Sequence, residues 1–159
     1  MTALRLDDFT PFRLSITSNL VSETIAGTYQ ALFGLTIPEW RLIAVIAEED
    51  GPTQQRIGQR TRMDKVTVSR AAIALTGRGL IERRPNADDR RSQRLHLTPS
   101  GRDLYAQVAP KALELERRIL ARFTPEEMAT FMALLARMDE ATLAVRAEAG
   151  LPLPLAGGD

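Results

Sequence analysis

The stretch TQQRIGQRTRMDKVTVSRAAIALTGRGL, residues 53–80, decides the fold that this chain is predicted to adopt. Its second half predicts a helix from about Asp64 to Arg78, because Asp64 is a good N-cap and Gly77 and Gly79 stand where a helix ends. Four small or aliphatic residues recur inside it at helical spacing: Val68, Ala71, Ala72 and Leu75. They predict a buried face, which leaves the opposite face polar and exposed.

A shorter helix is predicted directly before this one. Residues 53–60 have a cap at Thr53 and a core contact at Ile57, and residues 61–63 supply the turn. Two short helices joined by three or four residues form a helix-turn-helix, here over residues 53–78. A plain helical hairpin inside a larger core has the same periodicity, so the flanking sequence must separate the two interpretations.

The residues after the second helix change their apolar period from 3.6 to 2. Residues 80–84 and 93–98 predict the two strands of a hairpin, with Leu95 and Leu97 on its apolar face and His96 on its polar face. The loop between them, residues 85–92, is rich in turn formers and ends on arginines. A helix-turn-helix followed by such a charged hairpin is a winged helix, with the wing at residues 81–98.

Charge is distributed unevenly along the chain. Residues 51–98 contain eleven Lys and Arg against four Asp and Glu, a net charge of +7, whereas the remaining residues contain ten against sixteen, a net charge of −6. A solvated surface usually mixes its signs, so a lobe this basic favours binding to the phosphates of a nucleic acid over the bland core hairpin.

Short segments on both sides of the motif resemble a known family. They are GLIER at 79–83, DRRS at 89–92, LTPSG at 97–101 and IPEWR at 37–41. Together they resemble the MarR family of bacterial transcription regulators, over roughly residues 10–147. The resemblance implies a winged-helix homodimer that binds pseudo-palindromic double-stranded DNA, usually as a repressor released by a small ligand.

The resemblance also implies the role of one acid and shows one departure. Asp89 would brace the wing, through Arg91 or an arginine of the body. Ile73 and Ala74 stand where family members usually have polar residues on the second helix. We therefore expect the outer part of that helix to be packed by the wing or a neighbouring loop.

Long apolar faces extend on both sides of the lobe. Residues 11–33 predict a helix with two apolar stripes, buried on two sides, and residues 38–48 a helix with Trp40, Ile43, Ala44 and Ala47 facing inward. Residues 99–147 predict two further helices. The last has more apolar surface than a lobe of this size covers: Phe131, Leu134, Leu135, Met138, Thr142 and Val145. A second subunit is the expected cover.

The prediction is therefore a single domain over residues 1–159, mainly α (α+β) in class. Residues 38–98 form the winged-helix DNA-binding lobe, and residues 11–33 and 99–147 are the dimerisation helices of a C2 homodimer. Residues 148–159 form a Pro- and Gly-rich tail that is either disordered or an extended arm on the partner.

Candidate DNA contacts fall into groups with different roles. The following residues are predicted to contact the major groove and its phosphates: Lys65, Thr67, Ser69 and Arg70. The next group lies at a helix start facing the DNA backbone: Thr53, Gln54 and Gln55. The wing supplies Arg90 or Arg91 for the adjacent minor groove, with Arg83 and Arg84 as further candidates.

Polar residues near the start of the first helix suggest an effector site. Arg13, Ser15 and Asn19 stand among apolar positions, where a small aromatic carboxylate or phenol could bind between that helix and the DNA lobe. The alternative is that Arg13 makes a surface or intersubunit ion pair and Asn19 bonds backbone.

The sequence lacks the residue patterns that catalytic, metal-binding and membrane-spanning proteins require. The chain has no cysteine and one histidine, and it shows neither a Gly-rich phosphate loop nor a nucleophile elbow, so no catalytic residue, metal site or cofactor is predicted. No apolar run approaches the length of a membrane span and the start lacks a signal pattern, so we expect a cytoplasmic protein without a membrane partner. The remaining alternatives are a ligand-independent or architectural DNA binder and a winged-helix protein-interaction module, and the +7 lobe argues against the module.

Overall fold

The chain forms six α-helices and one β-hairpin over residues 4–152, the part that the computed structural model describes. A short 3-10 helix at Leu6–Asp8 precedes them. The elements are α1 (Thr10–Phe33), α2 (Ile37–Glu48), α3 (Gln54–Thr61), α4 (Lys65–Gly77), β1 (Ile81–Pro85), β2 (Gln93–Leu97), α5 (Pro99–Leu120) and α6 (Pro125–Glu148). This order confirms the predicted mainly α, winged helix-turn-helix class.

The two helices of the motif begin at the caps that the sequence indicates. The Thr53 hydroxyl accepts a hydrogen bond from the backbone N–H of Arg56 at 3.2 Å, which starts α3. Asp64 accepts from the N–H of Thr67 at 2.8 Å, which starts α4. Between them Arg62 adopts a left-handed conformation with φ of 55°, and this reverses the chain within three residues.

The wing is an antiparallel hairpin attached to the loop before α3. β1 pairs with β2 in the register Ile81 to Leu97 and Pro85 to Gln93. The backbone N–H of Leu95 donates to the carbonyl of Pro52 at 3.0 Å, so β2 is anchored on its other edge as well. Leu95 and Leu97 are buried, as the alternating pattern predicts.

The core lies between α2, α3, α4 and the hairpin. All four residues of the predicted inner face of α4 are buried, and so are Ile57 on α3 and Ile43 on α2. Trp40 joins this core to the long helices, because its ring lies 5.6 Å from that of Tyr29 on α1 and 5.7 Å from that of Tyr105 on α5. The lobe and the second half of α1 therefore share one apolar core.

Two of the expected faces differ from the structure. Ala47 on α2 is exposed rather than inward, because the buried face of that helix is formed by Leu42, Ile43, Val45 and Ile46. The prediction that α1 is buried on two sides is wrong for one chain. Only Ala26 and Tyr29 are buried on it, because α5 covers the second half and the first half lacks cover.

The last helix has no buried residue in one chain. Its N-terminus is a capping box, in which Thr124 and Glu127 satisfy each other's backbone N–H groups, as the sequence indicates. Its apolar side chains are largely exposed: Phe131, Met132, Leu134, Met138 and Val145. Most of the predicted tail, residues 153–159, lies outside the described residues.

Length and apolar composition give little support for a membrane span. Within residues 4–152 no single helix passes the test for crossing a bilayer, and only α1 and α2, taken together across a bend of 88°, meet it.

Candidate nucleic-acid interface

A shallow groove of about 450 Å³ lies between α3 and α4. It is lined by Gln54, Gln55, Gly58, Gln59, Met63, Lys65 and Val68. Three predicted DNA contacts, Gln54, Gln55 and Lys65, therefore come together although they belong to two helices. Their side chains offer amide and ammonium donors around one concave surface.

The exposed face of α4 is less polar than predicted. Lys65 and Arg70 are exposed and Ser69 is half-buried. Thr67 is engaged in the helix cap, because its hydroxyl donates to Asp64 Oδ2 at 2.6 Å. The hydrogen bond from this hydroxyl lowers the pKa of Asp64 most, and the hydrogen bond from the Thr67 backbone N–H lowers it further. The two bonds keep the cap ionised.

Ile73 contradicts the expectation that the outer part of α4 is packed by the wing or a loop. Its side chain is 62% exposed, and Val66 at the start of the helix is 56% exposed. The wing leaves Ile73 uncovered, although β1 contacts α4 and its Ile81 is buried.

The predicted contacts at the start of α3 and on β1 are linked to each other. With its amide turned toward the wing, the Gln54 oxygen accepts from both terminal nitrogens of Arg83, at 3.0 and 3.3 Å. Arg83 also donates to Gln93 at 3.4 Å. Arg84 instead pairs with Glu82, its Nε lying 2.9 Å from the carboxylate, so its charge is locally balanced.

The wing tip is organised by residues that the sequence interpretation did not single out. Asn86 is buried, and its side chain donates to Ser92 Oγ at 2.8 Å and accepts from Arg94 Nε at 3.1 Å. Arg94 also donates to Asp88 at 2.8 Å and to the carbonyl of Gly51. The available signal in the sequence is an asparagine eight residues before a strand arginine, and it is a weak one.

Asp89 braces the wing turn by a different bond from the one expected. Its Oδ1 accepts from the backbone N–H of Arg91 at 2.9 Å, and its carbonyl accepts from the N–H of Ser92 at 3.0 Å. The arginine ion pair of the wing belongs to Asp88 and Arg94 instead. The side chains of Arg90 and Arg91 are left exposed at the tip.

Several cations of the basic segment, residues 51–98, form ion pairs with acidic side chains. Arg56 and Arg60 pair with Glu48 and Glu49, which lowers the pKa of Glu49, chiefly through its hydrogen bond with Arg56. These two acids lie just outside residues 51–98, so the net charge of +7 overstates the free positive charge. Within residues 4–152 the following cations of the segment have no acidic partner within 4 Å: Arg62, Lys65, Arg70, Arg78, Arg83, Arg90 and Arg91.

The predicted effector residues lie outside the three main grooves of the described residues. Arg13, Ser15 and Asn19 are exposed on the first half of α1. The groove between α3 and α4 and two further grooves, one at the end of α2 and one on α6, all lie elsewhere. The effector site therefore stays a prediction that depends on a partner.

The one histidine of the sequence lies beside an acidic residue. His96 lies on β2 with its Nδ1 3.6 Å from Asp50. Residues 4–152 contain no group of three or more His, Asp or Glu side chains arranged to hold a metal ion.

Known proteins share both the sequence pattern and the fold. A model of the MarR family matches residues 33–92, from the end of α1 to the wing tip. A probable transcriptional regulator from Pseudomonas aeruginosa is 31% identical, over 84% of this chain and 99% of that one, with a TM-score of 0.68. The MarR/EmrR family regulator from Acinetobacter sp. ADP1 is 25% identical, over 87% and 98% of the two chains, with a TM-score of 0.80. The chain belongs to the MarR family.

Further relatives of this MarR-family chain are also named as transcriptional regulators. Transcriptional regulator HosA of Escherichia coli O127:H6 is 28% identical over 104 residues, which are 65% of this chain and 77% of that protein. Transcriptional regulators bind DNA or other partners rather than catalyse reactions. The MarR-family assignment therefore makes this chain a transcriptional regulator.

Proposed function

We propose that this MarR-family regulator is a homodimer that binds a pseudo-palindromic operator through α4 and the wing. The observation that carries the proposal is the set of exposed cations without acidic partners on these two elements. Lys65 and Arg70 lie on α4, and Arg90 and Arg91 lie at the wing tip. Exposed and uncompensated positive charge is what phosphate neutralisation uses, and each contact releases counterions from the DNA.

The contacts are proposed to divide by role. Lys65, Ser69 and Arg70 face the major groove, with Gln54 and Gln55 at the start of α3 against the DNA backbone. Thr53 and Thr67 contribute at the caps that fix where the two helices begin, because the Thr53 hydroxyl accepts from the N–H of Arg56 and the Thr67 hydroxyl donates to the Asp64 carboxylate. Arg90 and Arg91 reach the adjacent minor groove.

Arg83 and Arg84 are proposed to differ in strength as DNA contacts. Among residues 4–152 Arg83 has only amide partners, from Gln54 and Gln93, so its full charge is available to a phosphate. Arg84 is neutralised by Glu82 and would have to give up that pair first.

The dimer is proposed to form through α6, the end of α5 and the first half of α1. These segments expose apolar side chains in one chain, including Leu14, Ile16 and Leu134, and an apolar surface of that extent is rare on a monomer. A C2 dimer would place the two α4 helices about one DNA turn apart, roughly 34 Å, as a pseudo-palindrome requires.

Repression relieved by a small aromatic or phenolic ligand is the finer part of the proposal. Arg13, Ser15 and Asn19 lie on the uncovered half of α1, where a partner subunit would complete a pocket. A ligand there changes DNA affinity only as far as it prefers one spacing of the α4 helices. A thermal-shift screen of aromatic acids tests it. The best hit should stabilise wild type more than Arg13→Ala, and equal stabilisation of the two would rule out this site.

The test of DNA binding starts from duplexes selected by the wild-type protein from a random library. Fluorescence anisotropy then compares the selected duplex with a scrambled one across a salt titration. We expect binding to the selected duplex to be at least about 10³-fold tighter. Equal affinity for both would favour an architectural binder, and no binding to either would favour a protein-interaction module.

A matched pair of arginine substitutions locates the contact. Arg91→Ala should weaken binding and flatten the slope of log K against log salt by about one unit, because one phosphate contact is lost. Arg41→Ala removes an exposed arginine from α2, outside both the proposed DNA surface and the proposed dimer interface, and should leave the slope unchanged. Unchanged binding by Arg91→Ala would make the wing assignment wrong.

A further inference from the structure

The exposed face of α4 carries an apolar side chain at its second residue. Val66 is 56% exposed, whereas Val68, two residues later, is 1% exposed and packs in the core. Residues three, four and seven positions after Val66 share its face, because an α-helix turns every 3.6 residues. They are Ser69, Arg70 and Ile73.

The surroundings of Val66 are cationic. Lys65 precedes it and lines the groove between α3 and α4, and Arg70 follows it one turn later on the same face. Neither has an acidic partner within 4 Å in the described part of the chain. An exposed valine flanked by free cations fits a surface that is charged at its edges and apolar at one point.

The major groove of DNA has one common apolar feature, the 5-methyl group of thymine. It lies beside the hydrogen-bonding edges of the bases, and apolar side chains recognise it by direct contact. The phosphates that flank the groove match Lys65 and Arg70 in charge. Duplex DNA therefore explains both the valine and its cationic neighbours, whereas an apolar protein partner explains only the valine.

The start of a recognition helix is the part that reaches base edges. Val66 lies in this first turn. The side chain of its neighbour Thr67 is turned back to the Asp64 carboxylate, at 2.6 Å, so Val66 is the more available of the two. Ile73 lies seven residues further along the helix, about 10 Å away at 1.5 Å per residue. It would therefore lie at a different depth in the groove from Val66.

We propose that Val66 is a specificity-determining residue that packs against the 5-methyl group of a thymine in each operator half-site. The inference rests on the proposed operator binding and adds to it one base preference and the side chain that reads it.

The test replaces each thymine of the selected duplex by uracil, one symmetric pair of positions at a time. Uracil keeps every hydrogen-bonding group of thymine and lacks only the methyl group. Wild type should lose about fourfold in affinity per half-site at one position, the factor expected for one buried methyl group. Val66→Ala should bind the parent duplex more weakly and lose less than about 1.5-fold on the same replacement.

Two further variants make the result specific. Ile73→Ala removes the other exposed aliphatic side chain of the same face and should keep the wild-type loss at that position. Val66→Thr retains one γ-methyl group and should therefore show part of the wild-type loss of affinity when uracil replaces thymine at that position. Val66 and Ile73 are both exposed and contribute little to the core. All three variants should therefore have the wild-type melting temperature, which would confirm that they are folded.

Several outcomes would overturn the inference while leaving operator binding intact. One is a wild-type protein that is insensitive to uracil at every position. Others are a Val66→Ala variant that loses as much as wild type, or an Ile73→Ala variant that alone abolishes the loss. Failure of wild type to select any duplex would instead contradict the proposed function, and the inference with it.

Discussion

The DNA-binding lobe and the helical arms, which are α1, α5 and α6, are built from the same kind of amphipathic sequence. One chain nevertheless buries the apolar stripes of the lobe and leaves α6 and the first half of α1 uncovered. In the lobe the apolar stripe of α4 is buried down to Leu75, which is fully inaccessible. In the arms α6 has an equally regular stripe, but Leu134 is 49% exposed and no residue of the helix is buried. An apolar stripe therefore predicts a face that will be covered, and it does not say which chain supplies the cover.

Matched leucine truncations should separate the two regions. Leu75→Ala leaves a cavity in a closed core and should lower the free energy of unfolding by about 2–5 kcal/mol at any protein concentration. Leu134→Ala should destabilise less, and by an amount that depends on concentration, because it weakens an association between chains. Denaturant titrations at two concentrations check both.

The two truncations also show how the comparison would fail. A loss for Leu134→Ala that is as large as that for Leu75→Ala and independent of concentration would mean that one chain buries α6 by itself.

Arg78 is a direct link between the regions. It lies at the end of α4 and donates to the carbonyls of Phe33 at 2.7 Å and Gly34 at 3.2 Å, where α1 ends without a basic residue of its own. Positive charge there complements the helix dipole. Arg78→Ala should cost about 1 kcal/mol of stability and weaken operator binding a few-fold.

The salt dependence distinguishes this linking role from a phosphate contact. For Arg78→Ala the slope of log K against log salt should equal that of wild type. Arg70→Ala serves as the contrast, since it should flatten the slope by about one unit. A flattened slope for Arg78→Ala would place Arg78 on the DNA instead of between the regions.

The smallest effect is expected at the cap of α4, which belongs wholly to the lobe. Hydrogen bonds from Thr67 lower the pKa of Asp64, so the ionised cap stabilises the fold above the usual carboxyl range and stops doing so as pH falls through the lowered pKa. Asp64→Asn should therefore lower the melting temperature by about 3 °C at pH 7, and this difference should shrink below about pH 4. A difference that stays constant from pH 7 to pH 3 would contradict the ionic cap.

Local signals in the sequence predict the lobe well. The caps at Thr53, Asp64 and Thr124 each depend on residues three positions away, so the sequence shows both partners of each cap. The same is true of the inner face of α4 and the alternation of β2. These features are fixed by the geometry of one helix or one strand.

Contacts between distant segments could not be predicted in this way. Arg94 binds the carbonyl of Gly51, 43 positions earlier, and Arg78 binds carbonyls 44 and 45 positions earlier. A count along the chain treats both arginines as free charge, and Arg56 and Arg60 likewise, because it does not show which acids and carbonyls the fold brings near. The helical pattern predicts Ala47 to face inward, whereas its neighbours Val45 and Ile46 form the buried face of α2.

The most direct measurement is sedimentation velocity of the protein with its selected pseudo-palindromic duplex and with one half-site. We expect free protein to sediment as a dimer of 17.6 kDa chains and each full duplex to bind two chains. Leu134→Asp, which places a charge in the proposed interface, should sediment as a folded monomer and bind the half-site about as well as the full duplex. A wild-type protein that is monomeric at micromolar concentration, or that binds one chain per full duplex, would contradict the proposed homodimer on a pseudo-palindromic operator.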